Sequence, residues 1–357
     1  MSDPPALGTT PESLHRFDCF GGRCTVIVAD GERPADAAAA AAMCRRALLR
    51  RHDRFSRFVP DSEISALNRD PRPTVSVSPL LARLAQAALR CAWDTGGLVD
   101  ATLGAEIERA GYRTSIEGDG IPLEVALALA PARVAARPAT ANPLSRLSVD
   151  VAAGTITRRP GVVFDLGGVA KGVFADELAE LLDGFDAFAI DCAGDIRLGG
   201  RAAAHRPIHV PSPLDGARLH SFDLRDGGIA TSGIGKRSWL DGDARPAHHL
   251  LDPRSGRPAY TGVVQATALA PTAARAEALA KAAVLSGPAG AGSWLRHGGM
   301  IVLDDGSYEM LEPAASRAAA APPPATPASN RSASHPRISV STASRSGSLR
   351  ISWNRPG

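Results

Sequence analysis

The amino-acid sequence predicts an α+β protein in which a mixed sheet packs against helices. Short apolar segments typical of strands are mixed with segments of helical periodicity, without the regular strand-helix alternation of a doubly wound fold. This pattern ends near residue 314, where Pro, Ser, Ala and Arg dominate and too little apolar surface remains to offset the ordering entropy. We therefore expect a folded domain over residues 15–313, a flexible N-terminus over 1–14 and a disordered tail over 314–357.

The elements follow in order along the chain. The first are a strand over RCTVIVAD and a helix over DAAAAAAMCRRALLRRHDRFSRF, whose apolar residues recur at helical spacing. A second helix begins at Ser78 and Pro79, which favour the N-cap and the first turn, and ends at glycine. Buried strands are then predicted over GVVFDLGG, FAIDCAGDIRLGG and GMIVLDD, and helices over GVAKGVFADELAELLDG and PTAARAEALAKAAVLSG. Residues 110–144 are irregular and resemble an insertion.

Composition argues against several classes of protein. The chain has 357 residues, a net charge of +3 and arginines spread along its length, so it lacks the concentrated basic surface that binds nucleic acid. No apolar run approaches the roughly 20 residues needed to cross a bilayer, so we expect no membrane insertion. The N-terminal residues MSDPPALGTTPESLHRF contain acidic residues and prolines where a secretory signal needs positive charge and an apolar run. We therefore expect a cytoplasmic protein.

The cysteines also fit a reducing compartment. There are five of them, an odd number, and no two form a CxxC pair. Buried free thiols are therefore expected, rather than a zinc site or a disulfide framework.

A compact polar turn, DLGGVAKG, opens one of the predicted helices. Asp165 ends the apolar lead-in, Gly167 and Gly168 form the turn, and Lys171 lies in the first helical turn. Glycines let a ligand approach the backbone closely, the free amides of a helix start attract anions, and a lysine adds a cation for phosphate. The residues alone are equally compatible with an aspartate N-cap followed by a surface lysine.

Two further segments place polar residues at predicted turns. In DCAGDIRLGG, Asp195 and Arg197 follow a strand in a tight turn. Such a turn either binds a polar ligand or contains these polar residues for structural reasons alone. In HHLLDPRSGRP, His249 stands three residues before Asp252. A histidine, with a reference pKa near 6.5, suits proton abstraction from a hydroxyl group near neutral pH. A histidine bonded to a neighbouring backbone carbonyl fits the same segment.

Together these segments resemble the ApbE family, the FAD:protein FMN transferases. That family carries a DLGG-[IV]-[AG]-KG turn, an AGGDIR-like turn, an ATSG segment and a HIIDPRTG-like segment in this order. This chain matches them with DLGGVAKG, CAGDIR, ATSG and HHLLDPRSG, and more weakly with FSRFVPDSEISALN, TGGLVDATLG and APTAARAEALAKAAVLSGP. The resemblance covers roughly residues 17–312 and implies an ApbE-like, T-fold-like architecture.

The resemblance also implies a reaction and a set of site residues. Family members cleave the pyrophosphate of FAD and transfer FMN to a threonine of a partner protein with an FMN-binding domain, releasing AMP. His249 aligns with the histidine proposed to activate that threonine. The positions matching FAD-binding residues are Phe20, Phe58, Leu98, Val99, Asp100, Asp165, Lys171 and Leu251. Phe20 replaces a methionine and Phe58 a tyrosine, so apolar contact and stacking are kept while a hydroxyl group is lost.

A Mg²⁺ ion is implied as well, and at this point the sequence departs from the family. The Gly168 carbonyl is expected near the metal, but Glu277 and Lys281 replace the aspartate and threonine of the family's metal-binding helix. Glutamate still ligates Mg²⁺, whereas an ammonium group does not. We therefore expect Lys281 to replace part of the metal's charge, with any Mg²⁺ held weakly by Glu277 and Gly168. The alternative is a sequence subgroup with ordinary metal dependence.

Two other functions are compatible with this site. An FAD pyrophosphatase would use water in place of the threonine and release free FMN and AMP. A flavin-binding protein without catalysis is the second alternative, and the changed metal helix keeps it open. A dehydrogenase is disfavoured, because the sequence contains no G-x-G-x-x-G that opens a helix within a βαβ unit.

Overall fold

A computed structural model describes residues 11–115, 120–140, 145–159, 161–203 and 205–314 of the chain. The segment expected to be a disordered tail, 314–357, lies outside the described residues except for Ala314, and residues 1–10 of the N-terminal segment lie outside them too. Residues 12–14 of that N-terminal segment, which were expected to be flexible, belong to the first strand.

Helices and short strands alternate irregularly along the chain. The helices are α1 (Pro34–Phe55), α2 (Glu63–Arg69), α3 (Pro79–Asp94), α4 (Gly104–Arg109), α5 (Leu123–Ala128), α6 (Ala170–Glu180) and α7 (Ala273–Ala291). The strands are β1 (Glu12–Cys19), β2 (Gly22–Ala29), β3 (Thr74–Ser76), β4 (Leu147–Asp150), β5 (Thr155–Arg158), β6 (Ala187–Cys192), β7 (Asp195–Gly199), β8 (Arg206–Pro211), β9 (Arg218–Leu224), β10 (Gly227–Gly233), β11 (Ser238–Leu240), β12 (Pro246–His248), β13 (Leu251–Asp252), β14 (Arg257–Pro258), β15 (Val263–Ala270), β16 (Gly299–Leu303) and β17 (Tyr308–Leu311).

One large sheet organises the domain and confirms the predicted α+β class. Its eight strands lie in the order β1-β2-β6-β7-β10-β15-β16-β17. The sheet was expected to be mixed, but every neighbouring pair in it is antiparallel. Three of these seven pairs, β1–β2, β6–β7 and β16–β17, are hairpins, and a tight turn joins strands only in the antiparallel sense.

Helices α1, α6 and α7 pack against this sheet, and α6 also contacts α7. The crossing of α6 and α7 needs a glycine, because a Cβ atom on Gly172 would lie 2.5 Å from the Cα of Ala274. Helix α7 is buried almost all round from Ala276 to Leu285, so its polar side chains lie inside the protein. That burial decides the environment of the predicted metal-binding positions, which α7 carries.

The helix ends follow their sequence signals. Ser78 caps α3 as predicted, accepting a hydrogen bond of 3.2 Å from the Leu81 amide, with Pro79 in the first turn. Thr272 caps α7 in the same way. At Gly287, the glycine that was expected to end this helix, the backbone is non-helical (φ 70°, ψ 179°), so the long helical segment stops there and a second, short one follows and ends at Ala291.

The strand predicted over GVVFDLGG is wrong. Val163 makes only an isolated parallel bridge to Leu103. The backbone of Phe164 bonds instead to the side-chain amide of Asn68, with both N–O distances at 2.8 Å. A side chain therefore satisfies the backbone groups that a neighbouring strand would have bonded, and the segment before Asp165 is held without being part of a sheet.

Two other predictions of strands need correction. FAIDCAGDIRLGG is not one strand but the hairpin β6–β7, which turns at Ala193 and Gly194, both with positive φ. The apolar patterns also failed to predict β10 and β15, which are adjacent in the centre of the sheet. Strand β15 is buried at nearly every position and therefore lacks the period-two alternation that marks a half-buried strand.

The segment expected to be an irregular insertion is partly ordered by neighbouring elements. It contains α5, and its extended part bonds to the domain through the Val134 amide to the Tyr260 carbonyl and the Ala136 amide to the Leu285 carbonyl, each at 2.8 Å. Residues 116–119 and 141–144 of this segment lie outside the described residues.

All five cysteines are buried and free, as predicted. Within the described ranges, none of the helices combines the length and the apolar character needed to cross a membrane.

Candidate active site

The polar turn before α6 is built around the Asp165 carboxylate. One of its oxygens accepts a 2.7 Å hydrogen bond from the Gly167 amide, and the other accepts a 2.9 Å bond from the Arg57 guanidinium. The N-cap of α6 is Val169, so Asp165 is not the helix cap that the sequence alone left open. The aspartate instead shapes the glycine turn and pairs with a cation.

Arg57 holds three parts of the site together. Its side chain is only 6% exposed, and besides Asp165 it donates a 2.6 Å hydrogen bond to the Tyr112 carbonyl. Its guanidinium carbon lies 4.2 Å from the ring centroid of Phe58 and 4.9 Å from that of Tyr112. A buried guanidinium that is paired and stacked in this way fixes the aromatic wall relative to the glycine turn.

The predicted site residues surround two adjoining cavities. Of these residues, the first cavity is lined by Leu98, Val99, Asp100, Asp165, Gly168, His249 and Leu251. The second is lined by Phe20, Phe58, Asp165 and Lys171. Both cavities are also lined by Tyr112, Gly167 and Arg237. Glu277 lines neither, because it is completely buried and reaches the cavities only through Lys171 and Lys281.

Four charged side chains lie beneath the turn, three of them buried and the fourth, Lys171, partly buried. Lys171 forms an ion pair with Asp195 and lies 3.9 Å from a carboxylate oxygen of Glu277. Burial opposes the charged amine, but the two carboxylates outweigh it and raise the pKa of Lys171. Burial and the nearby Glu277 carboxylate raise the pKa of Asp195 to about 7, even though the two lysines favour its ionised form. Lys171 is thus tied to the protein rather than presented as a free surface cation.

The second lysine of this group of charges, Lys281, is paired with Glu277. Lys281 donates a 2.9 Å hydrogen bond to Oε1 of Glu277, whose Oε2 accepts a 2.9 Å bond from the Gly172 amide. Burial disfavours the Glu277 carboxylate, yet Lys281 and Lys171 outweigh that cost and lower its pKa. The aliphatic part of Lys281 covers the turn, since a Cβ atom on Gly168 would lie 3.3 Å from its Cε.

His249 faces the first cavity as a neutral base. Its Nδ1 is buried and has no hydrogen-bond partner within the described residues. Burial, and after it the positive charge of Arg237, hold the pKa of His249 well below its usual range, while a backbone hydrogen bond with Arg237 partly offsets this. In the tautomer with the proton on Nε2, Nδ1 carries a lone pair ready to accept a proton. The neighbouring His248 lines neither cavity and packs edge-on against Tyr260.

Asp100 adds an acceptor to the same cavity. Its Oδ1 accepts hydrogen bonds from the amide and the hydroxyl group of Thr102, at 2.8 and 2.7 Å. Its Oδ2 is buried without a partner in the described part of the chain, and burial raises the pKa of the carboxyl group. A ligand N–H or O–H group is the natural partner for that oxygen.

An aromatic wall borders the site, and part of it was not anticipated. Phe58 packs edge-on against Tyr112 with ring centroids 5.1 Å apart, and Tyr112 stacks on Trp239 at 5.2 Å. Phe20, at φ 56°, lies in the second cavity and stacks on Phe174 at 5.8 Å.

Sequence reasoning missed several of these residues. Arg57 and Asn68 lie within the matched segment FSRFVPDSEISALN, from which only Phe58 was selected, so the signal was present. Arg237 follows the ATSG segment, and its place between the cavities is a tertiary fact. Tyr112 belongs to the segment that was interpreted as an insertion.

The chain matches a known protein family over most of its length. The sequence model of the ApbE family matches residues 20–303. The chain belongs to the ApbE family.

Curated relatives in this family are similar over part of their length. The FAD:protein FMN transferase of Salmonella typhimurium is 29% identical over 209 residues, covering 56% of this chain and 57% of the relative. The Klebsiella pneumoniae protein of the same name is 28% identical over 259 residues, covering 70% and 71%. The matched region therefore spans little more than half the length of the first of these relatives.

Solved ApbE structures share the fold. The ApbE protein of Thermotoga maritima has a TM-score of 0.68 at 24% identity, covering 85% of this chain and 97% of that one. The flavin transferase ApbE of Vibrio cholerae has a TM-score of 0.65 at 21% identity, covering 87% and 99%.

The residues expected to hold Mg²⁺ in this ApbE chain do not fit the ion as arranged. Both oxygens of Glu277 are already bonded, one to an amide and one to an ammonium group. The Lys281 side chain also lies against Gly168, whose carbonyl was the other expected ligand. Within the described ranges, no three His, Cys, Asp or Glu side chains are grouped to hold a metal. A cation that is part of the protein occupies this part of the site.

Proposed function

We propose that this chain is an FAD:protein FMN transferase, which attaches FMN through a phosphoester to a threonine of a partner flavoprotein and releases AMP. The observation that carries the proposal is His249, which lines the same cavity as Asp165 and Gly168 and whose Nδ1 has no hydrogen-bond partner within the described residues. Membership of the ApbE family and the names of the relatives support the same activity.

In the proposed reaction, the threonine Oγ attacks the phosphorus of the FMN half of FAD. The bond from that phosphorus to the bridging oxygen breaks, and the bridging oxygen leaves with AMP. The threonine proton passes to Nδ1 of His249, so the products are the phosphoester, AMP and a protonated imidazole that returns its proton to solvent. Phosphoryl transfer asks the protein mainly for positioning and charge neutralisation, and the cations around the turn supply the charge.

The low pKa of His249 in the free protein is consistent with this role. Burial is its main cause, and the positive charges of Arg237 and Lys281 contribute to it. FAD brings a diphosphate with negative charge, which favours protonated histidine and raises the pKa again. The base therefore gains strength when its substrate is bound.

The remaining predicted residues are assigned to FAD. We place the apolar contacts of the flavin nucleotide on Leu98, Val99 and Leu251, with the free Asp100 oxygen accepting a ligand hydrogen bond. Phe20 and Phe58 line the second cavity as aromatic contacts. Asp165 and Lys171 act mainly through the shape and charge of the turn, because both are paired within the protein.

One experiment separates this proposal from its alternatives. The protein is incubated with FAD and an acceptor that has an FMN-binding domain, AMP is measured, and the denatured acceptor is examined for flavin fluorescence on a gel. Fluorescence that is lost when the acceptor threonine is changed to alanine supports transfer. AMP and free FMN without labelled acceptor indicate a pyrophosphatase, and bound FAD without AMP indicates a flavin carrier.

A further inference from the structure

The cations of the site differ in whether they have a carboxylate partner. Four of them form ion pairs inside the protein: Arg51 with Glu177, Arg57 with Asp165, Lys171 with Asp195, and Lys281 with Glu277. Arg237 is the exception, because within the described ranges no carboxylate lies within ion-pair distance of it.

Arg237 occupies the boundary between the two cavities. Its Nη2 donates a 2.8 Å hydrogen bond to the Phe20 carbonyl, which fixes the guanidinium beside the glycine turn. A guanidinium has five N–H donors, so most of its donors remain for a ligand. The positive charge of Arg237 favours the neutral forms of His249 and Lys171. It also favours the ionised form of Tyr112.

Lys281 brings a second cation to the same cavity. It lines the first cavity with Arg237 and His249, and Glu277 takes one of its three N–H donors. Two single positive charges therefore line the cavity of the proposed base, and both oxygens of the expected Mg²⁺ ligand Glu277 are already bonded.

On the basis of the proposed function, we propose that Arg237 and Lys281 bind the diphosphate of FAD and together take the place of a divalent cation, so that FMN transfer proceeds without added metal. Arg237 is suited to this task because a guanidinium bonds two phosphate oxygens at once. Charge accumulating on the bridging oxygen as AMP leaves is then met by protein cations that are already in place, and no bond in the reaction depends on a metal ligand.

The first test measures FAD affinity by calorimetry in EDTA. Arg237→Gln should weaken FAD binding about tenfold to a hundredfold, the range expected for a lost hydrogen bond to a charged group. Arg237→Lys should recover part of the loss, and the matched control Lys236→Gln, at an exposed neighbouring position, should bind as wild type does. Riboflavin, which lacks phosphate, should bind equally to wild type and Arg237→Gln. Equal FAD affinity of wild type and Arg237→Gln would overturn the assignment of Arg237.

The second test asks about the metal. Wild type should release AMP at the same rate in EDTA and in Mg²⁺. The double variant Glu277→Asp, Lys281→Thr restores the residue pair of the family, so it should bind Mg²⁺ in calorimetry without FAD and lose AMP release in EDTA. Wild-type activity that disappears in EDTA and returns with Mg²⁺ would overturn the substitution while leaving the transferase proposal intact. Absence of AMP release from wild type under both conditions, with acceptor present, would instead count against the transferase itself.

Discussion

The ammonium nitrogen of Lys281 lies 2.9 Å from a carboxylate oxygen of Glu277, one helical turn away in α7, and both side chains are buried. On an exposed helix such a pair is worth only a few tenths of a kcal/mol. In this protein the carboxylate is fully buried, so its partner is needed to offset the cost of taking the charge out of water.

Lys281→Ala should therefore destabilise the protein by about 3 kcal/mol or more, the usual cost of breaking a buried pair. The remaining lysine near Glu277, Lys171, is 3.9 Å away and already paired with Asp195. Urea denaturation gives the free energy of unfolding. The double variant Glu277→Gln, Lys281→Gln keeps an acceptor for the Gly172 amide and leaves no unpaired carboxylate, so it should lose less. Equal losses in the two variants would contradict a charge effect.

His249→Ala should slow AMP release and FMN transfer by about a hundredfold to ten-thousandfold, the usual contribution of a general base. FAD affinity should change little, because the histidine is assigned to the proton rather than to the nucleotide. Calorimetry and acceptor labelling measure the two quantities separately. A normal transfer rate in this variant would place the base elsewhere.

The pH dependence of transfer should reflect the lowered pKa of His249. The neutral imidazole is the active form, so the rate falls on the acid side of the pKa. Because burial and nearby cations hold that pKa well below its usual range in the free protein, kcat/KM should decline only below the ordinary histidine range. The decline of kcat should lie at higher pH, since bound diphosphate raises the pKa. An acid limb of kcat/KM at or above that of kcat would contradict this order.

Stability in mild acid should depend on His248. Burial lowers the pKa of His248 to about 3 in the folded protein, whereas in the unfolded chain it is near 6.5. Between about pH 3 and 6.5 the unfolded chain therefore binds a proton that the folded protein does not. The contribution of neutral His248 to the free energy of unfolding is fully present above about pH 6.5. It decreases as the pH falls, by about 2 kcal/mol between pH 7 and 5 for one such group. His248→Gln lacks this titration, so its unfolding free energy should fall less over the same interval. Parallel pH curves for variant and wild type would contradict the assignment.

Asp165→Ala should weaken FAD binding, because the Gly167 amide loses its side-chain acceptor and the Arg57 guanidinium loses its bond to the carboxylate. Asp165→Asn keeps a side-chain oxygen for Gly167 and should retain more of the affinity. Calorimetry with FAD compares the three proteins. An unchanged dissociation constant in the alanine variant would remove Asp165 from the proposed site.

The sequence alone was sufficient for the α+β class, the capped helices and the order of the motifs. Helix periodicity and the Ser78 cap are local properties, which explains why α1 and α3 were predicted close to their observed bounds. Strand β15 was missed because a strand buried on both faces has no alternating pattern to detect. The segment before Asp165 was wrongly predicted to be a strand, because the backbone of Phe164 bonds to the side chain of Asn68, 96 residues away, and local sequence does not reveal such a partner.

The sequence determined which chemical groups are present: a histidine, a glycine turn, and a glutamate and lysine where the ApbE pattern has metal ligands. Only the tertiary structure decided how their charges combine. Packing of α7 against the sheet and α6 buries Glu277 and Lys281 together. Among the described lysines and arginines that line the two cavities, Arg237 is the one without a carboxylate partner. The spacing of residues along a chain does not show how deeply they are buried, and burial determines how strongly two charges interact.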